Sequence, residues 1–327
     1  MRSRSVKILA HIYEAHKKEF LCKIDSEDKT VSAYATGTVL KNNQLVTGDK
    51  VLLEQTGDEY QITDLIDRTN EIFRMNIRER KKRVTAANCD LVVIATSVSR
   101  PPYKQGVIDR FAARSFQWDV PAVIVFNKMD EFQNDFDIDF EMRRFENIGI
   151  ECFEVSATHP EKPTRFGRGP FKDLRKKLIN TQSIILGQSG VGKSRLITSL
   201  SDREINLRSS EIGKSGKGSH TTTWSEVIDC GTFRIIDSPG IRSFSLDDIF
   251  PEELINYFPD LHAISLTCKF NNCQHEPSTK GCAFYSGGID SQKADIIKSR
   301  LSSYKKILEE IRISGGQAYT FYKMSAK

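Results

Sequence analysis

Long apolar runs are missing from this chain of 327 residues. Nowhere does it approach the ~18 consecutive apolar residues that a membrane span requires. The polar start, Met1-Arg2-Ser3-Arg4-Ser5, has none of the apolar stretch of a signal peptide. A cytoplasmic protein with no membrane partner is the expectation. A strong charge of one sign is missing too: 48 Lys+Arg against 43 Asp+Glu leaves +5, with a pI near 8.7. That mild excess suits nucleotide or RNA partners, and an ordinary solvated basic surface equally well. Even pairing of cysteines is also excluded, because there are seven. Cys22, Cys89, Cys152 and Cys230 lie scattered beside apolar runs, as buried free thiols do. The other three gather near residue 275. No internal repeat is present.

The length suits two or three domains. Five short alternating runs, at 5–13, 19–24, 31–35, 49–54 and 60–65, are separated by turn-like Asp-Ser-Glu-Asp, Lys-Asn-Asn-Gln and Thr-Gly-Asp. They predict a small β-barrel over residues 1–72. Residues 73–87 carry the densest positive segment, Arg74 to Arg83, and read as a basic linker, solvated or contacting RNA phosphates. Over residues 88–247 apolar strand-like runs at 91–96, 122–126, 152–155, 183–186, 224–228 and 233–236 alternate with helix-like stretches at 106–116, 139–147 and 171–178. That alternation predicts an α/β doubly wound sheet with ligands at the carboxyl ends of its strands. Residues 207–220, rich in Ser, Gly and Lys, predict a loop. Residues 248–327 turn helical, with helices expected at 251–257 and 291–311.

The most informative stretch is Gly187-Gln188-Ser189-Gly190-Val191-Gly192-Lys193-Ser194, followed by Arg195. It comes after a strand-like run and before a helix-like one, which is the context a phosphate-binding loop requires. Its glycines let backbone amides face a phosphate chain; Lys193 is expected on the β- and γ-phosphates and Ser194 on Mg²⁺. Three more motifs follow apolar strands. Asp237-Ser238-Pro239-Gly240 supplies a carboxylate for Mg²⁺ and an amide that senses the γ-phosphate. Asn127-Lys128-Met129-Asp130 offers the Asp130 carboxylate to guanine N1 and N2, a donor edge that adenine lacks. Ser156-Ala157-Thr158 offers the Ala157 amide to guanine O6. Together these residues imply a GTP site, with Asn127 fastening neighbouring loops and the Lys128 stem lying along the base.

The motif order is unusual, because the guanine motifs precede the phosphate loop. The same pocket forms if the chain is circularly permuted, since it depends on strand-end geometry rather than strand order. Among Ser219-His220-Thr221-Thr222-Thr223, Thr222 is expected to complete the Mg²⁺ shell, with Thr221 the alternative. The position after Gly240 is Ile241, which cannot hydrogen-bond an attacking water, so hydrolysis by the chain alone is expected to be slow. His220 is the nearest substitute; the other reading is an ordinary loop histidine. Finally, Cys268-x₄-Cys273-x-His275-x₆-Cys282 places three cysteines and a histidine within 15 residues. Three thiolates and one imidazole fill a tetrahedral Zn²⁺ shell and leave no open position, so a structural zinc, one per chain, is expected.

The barrel, N-K-M-D, S-A-T, G-Q-S-G-V-G-K-S, H-T-T-T, D-S-P-G-I and the cysteine–histidine spacing, in that order, resemble the circularly permuted small ribosomal subunit biogenesis GTPases of the RsgA/YjeQ type. The resemblance covers essentially the whole chain. It implies an OB-fold barrel, a central α/β GTPase and a C-terminal helical zinc-binding domain. It further implies late maturation of the 30S subunit, contact with 16S rRNA, and GTP hydrolysis stimulated by that subunit, by a chain expected to be monomeric. One departure is that Gly216-Lys217-Gly218-Ser219 stands where Gly-Arg-Gly-Arg is common. The competing readings are a conventional GTPase with protein partners and an RNA-binding scaffold that nucleotide only rigidifies.

Overall fold

The computed structural model describes residues 6–16, 18–42, 44–76, 81–165, 167, 169–201, 225–237, 245–287 and 289–324, with backbone alone at 42 and 314–324. The first five strands are β1 (Lys7–Ala15), β2 (Glu19–Ile24), β3 (Lys29–Ala35), β4 (Lys50–Thr56) and β5 (Glu59–Leu65), with helix α1 (Gly37–Asn42) between β3 and β4. Their order is β1-β2-β3-β5-β4, and β4 pairs back onto β1, which closes the barrel. β1 closes it by serving two neighbours: Lys7 to His11 pair with β4, and His11 to Ala15 pair with β2 across a bulge near Ile12. Alternation drives the fold. Ile12, Cys22, Ile24, Ala33, Val51, Leu53 and Ile62 point inward and are buried, and Val39 of α1 joins them. Each fully buried aliphatic side chain contributes about 1.5–3 kcal/mol.

Residues 71–76 and 81–87, which read as the barrel's end and a basic linker, form a two-stranded antiparallel ladder, β6 (Glu71–Asn76) and β7 (Lys81–Ala87). Its inward residues Ile72, Val84 and Ala86 are buried. The outward positions are so charged that the period of two is hard to see. Lys82 lies over the Phe73 ring at 4.1 Å and also pairs with Glu71, so one basic residue is partnered within the hairpin.

The central sheet comprises β8 (Leu91–Ser97), β9 (Ala122–Asn127), β10 (Glu151–Glu154), β11 (Gln182–Leu186), β12 (Glu226–Asp229) and β13 (Arg234–Asp237). Its order is β10-β9-β8-β11-β13-β12, parallel except for β12. β8 and β11 are buried along their whole length, as strands covered on both faces are. Helices α2 (Gln105–Trp118) and α3 (Ile138–Glu146) lie on one face, and α4 (Phe171–Leu178) and α5 (Lys193–Leu200) on the other. β12 also meets β1 through Glu226 and Glu14, so barrel and central sheet form one sheet of 11 strands.

The C-terminal part holds a 3-10 turn (Leu254–Tyr257), α6 (Pro259–Ser265) and α7 (Ala294–Met324). Of the helix expected over 251–257, only 254–257 is helical, as this 3-10 turn. Pro259 forces the residue before it out of helical backbone, so Phe258 takes φ −125° and ψ 76° and α6 starts afresh. Phe258, Leu261, Leu301, Tyr304 and Ile307 pack with Ala113 of α2 into one core. Among the described residues no helix is long and apolar enough to cross a membrane.

Candidate functional site

Parallel pairing sets the site. Ser97 faces Asn127, Leu186 faces Ile94 and Asp237 faces Ile185, so β8, β9, β11 and β13 all end on one edge of the sheet. β10 pairs parallel with β9 and delivers Ser156-Ala157-Thr158 to that same edge. The motifs separated along the chain therefore converge, and the phosphate loop lies between the guanine motifs and Asp237.

The loop is built from close backbone approach. Gly187, with φ 153°, lies so near β8 that a Cβ would come within 2.4 Å of the Ala95 carbonyl oxygen. Gly192, in the left-handed region at φ 95°, leaves only 2.5 Å between an added Cβ and Asn127 Nδ2. Lys193 opens α5 and turns its ammonium back over the loop, donating to the carbonyls of Gly187 (2.8 Å) and Gln188 (3.1 Å). That places a cation at the centre of the loop. Val191 is buried, whereas Ser189, Gly190, Ser194 and Arg195 are exposed.

Asn127 is buried and fastens two loops at once. Its Nδ2 donates to the Val191 carbonyl at 2.9 Å, and its Oδ1 accepts from the Ala157 amide at 3.0 Å. The amide expected on guanine O6 thus meets Asn127 here. Ser199 of α5 donates to the Ala157 carbonyl at 2.6 Å, a second tie between the phosphate loop's helix and the base loop. Lys128 takes a left-handed φ of 67°, and its ammonium donates to the Arg100 carbonyl. Met129 is buried under the turn. Asp130 is exposed and accepts from Ser156 Oγ at 2.5 Å and from Thr158 Oγ1 at 3.2 Å. Burial works against its charge, but these hydroxyls and a backbone hydrogen bond outweigh it and hold the carboxyl below its usual range. The Arg100 and Ser199 contributions involve a carbonyl and a loop-crossing hydroxyl, for which no sequence motif exists.

His220, Thr221, Thr222 and Gly240 lie outside the described residues, as does Ile241. Asp237 ends β13, half-buried.

The second site is in the C-terminal part. The ligand atoms of Cys268, Cys273, His275 and Cys282 all lie within 4.8 Å of one another. His275 Nδ1 is 3.6 Å from Cys268 Sγ and 3.9 Å from Cys282 Sγ. A tetrahedral ion with bonds of about 2.3 Å to sulfur and about 2.0 Å to nitrogen spaces such atoms by roughly 3.5–3.8 Å, so the four residues fit a metal. The Ala283 amide points at Cys268 Sγ at 3.4 Å, favouring a thiolate, and Phe284 packs edge-on against the His275 ring at 4.8 Å.

The family model of the RsgA GTPase matches residues 65–247. The chain is 32% identical over 292 residues to the small ribosomal subunit biogenesis GTPase RsgA of Flavobacterium psychrophilum, covering 86% of this chain and 82% of that one. It is 33% identical over 279 residues to the protein of the same name from Bacteroides fragilis, covering 83% and 86%. Two solved structures share the fold at a TM-score of 0.69 each. YloQ, a circularly permuted GTPase, is 22% identical, with 95% of this chain and 97% of that one covered. YjeQ from Thermotoga maritima is 21% identical, with 94% and 99% covered.

Proposed function

This chain belongs to the RsgA GTPase family and is a GTP hydrolase; from that premise we propose that it assists late maturation of the 30S ribosomal subunit, binding 16S rRNA and hydrolysing GTP in a cycle of subunit binding and release. The observation that supports this most is the convergence of the permuted motifs on one sheet edge, with Asn127 tying phosphate loop to base loop. The relatives named above are small-subunit biogenesis GTPases over more than four-fifths of this chain.

The residues take the following roles. Amides of Gly187 to Gly192 hold the phosphates at the start of α5. Lys193 moves from the Gly187 and Gln188 carbonyls to the β- and γ-phosphates, while Ser194 and Arg195 open the helix beside them. Asp130 pairs with guanine N1 and N2, Ser156 steadies it, and the Lys128 stem lies along the base on a turn that Met129 anchors in the core. Ser194 and Thr222, with Asp237, would hold Mg²⁺, which would supply positive charge against the phosphates. Gly240 reads the γ-phosphate. His220 orients the attacking water once the subunit holds its loop, because Ile241 cannot. Cys268, Cys273, His275 and Cys282 would hold a zinc in a structural role, three thiolates and one imidazole being its donors.

Boundaries at 1–72, 73–87, 88–247 and 248–327 divide the chain into barrel, basic hairpin, GTPase and zinc-binding parts. The protein acts as a cytoplasmic monomer. GTP, read through residues 220–223 and 237–241, favours the state that binds the subunit, and hydrolysis releases it. Sedimentation with purified small subunits tests this cycle. Tighter binding with a non-hydrolysable GTP analogue than with GDP is the expected result, and equal binding with both would refute it.

A further inference from the structure

An ionised carboxylate has two oxygens and about four lone-pair sites. In Asp130 each oxygen has one hydroxyl on it, Ser156 donating to Oδ1 at 2.5 Å and Thr158 to Oδ2 at 3.2 Å, and the residue's own backbone N–H adds a further hydrogen bond. The two hydroxyls are themselves 3.2 Å apart. Their loop is fixed on both sides of Ala157, by its amide on Asn127 Oδ1 and by its carbonyl accepting from Ser199. Asp130 is exposed, so both oxygens, held side by side, stay open to donors from outside the chain. That is the acceptor pattern for two parallel donors, which guanine supplies with N1–H and the N2 amine.

We infer that Thr158 is a positioning residue for base specificity: its hydroxyl locks the Asp130 carboxylate so that both oxygens address guanine at once. The inference rests on the proposed guanine site. Asp130 is exposed, so no packing wall fixes its rotation, and the hydroxyls do that work. Without Thr158, Oδ2 loses its side-chain donor and the carboxylate is freer to turn about its terminal torsion. Guanine needs both oxygens and loses most by such turning. Hypoxanthine has N1–H but no N2 amine, needs one oxygen, and loses least. Thr158 thus sets the discrimination between two bases that differ by one amine.

The test measures affinities of the full chain, Thr158→Val and Thr158→Ser for GDP, IDP and ADP by competition against a fluorescent GDP. Valine keeps the shape and removes the hydroxyl; serine keeps the hydroxyl. The unaltered chain is expected to prefer GDP over IDP by about tenfold, the scale of one charge-assisted hydrogen bond. Thr158→Val should shrink that preference to about two- or threefold through weaker GDP binding, with IDP little changed. Thr158→Ser should restore it. An unchanged GDP-to-IDP ratio in Thr158→Val, or a serine variant as poor as the valine one, would overturn the inference while leaving the guanine site standing. An unaltered chain that does not prefer GDP over ADP would remove the guanine site itself, and the inference with it.

Discussion

Arg300 of α7 donates to Asp109 of α2 at 2.6 Å, and the two side chains are 1% and 0% exposed. The pair is the middle of a chain of charges. Asp109 also accepts from Arg144 of α3 at 2.8 Å, and Arg144 donates to Glu141, which accepts from Tyr103 at 2.6 Å. On the other side Arg300 forks onto both oxygens of Asp260 in α6. Burial works against the charge on Arg144, but Asp109 and Glu141 outweigh it and push its pKa up. The network bolts the C-terminal helices to the GTPase helices and ends at Tyr103, three residues from the Arg100 carbonyl that holds Lys128.

Arg300→Met should therefore destabilise the protein by about 3–5 kcal/mol, because Asp260 and one oxygen of Asp109 would stay buried without a cation. Urea unfolding measures it. A loss below about 1 kcal/mol would show that the network relaxes into water.

None of this network was legible in the sequence. A charged residue in a helix reads as solvent-facing, and Asp109, Arg144 and Arg300 look no different from the surface charges beside them. The barrel strands and the parallel strands were legible to within a few residues, since alternation and short apolar runs are local signals. The phosphate loop and guanine motifs were legible because the chemistry fixes their spacing. The β6–β7 hairpin was hidden by its outward charges. The break at Phe258 was available from Pro259. The docking of Asn127 on Val191 and Ala157 depends on strands that only the folded sheet makes neighbours.

Asn127→Ala removes both ties at once and leaves the Ala157 amide and Val191 carbonyl without their partner. Release of a fluorescent GDP should quicken by about 30- to 150-fold, two hydrogen bonds at about 1–1.5 kcal/mol each. A release rate within twofold of the unaltered chain would mean the loops hold without it.

The zinc reading is tested by metal content. The purified chain should carry one zinc, and Cys273→Ser should lose most of it. Faster amide exchange is then expected at residues 266–287, the segment that carries the four candidate ligands. Full zinc content in the variant, or unchanged exchange after chelation, would contradict the reading.

His11 of β1 is buried between barrel and central sheet, with its Nδ1 2.8 Å from Asp25 and with Arg234 and Lys50 also facing it. Burial lowers its pKa most, Arg234 and Lys50 lower it further, and Asp25 opposes them. The unfolded chain thus binds the proton more readily than the folded one. The stabilising contribution is present above pH ~6.5 and is lost as pH falls through the folded value. Thermal melts should drop in midpoint below pH ~6.5, and His11→Gln should flatten that drop. Parallel profiles for both proteins would exclude His11 as the cause.

GTP turnover with and without purified small ribosomal subunits, with large subunits as control, tests the central claim most directly. Slow turnover alone and strong stimulation by the small subunit only is the predicted result. Turnover that ignores the small subunit, in a chain that still binds GTP, would contradict a role in its assembly.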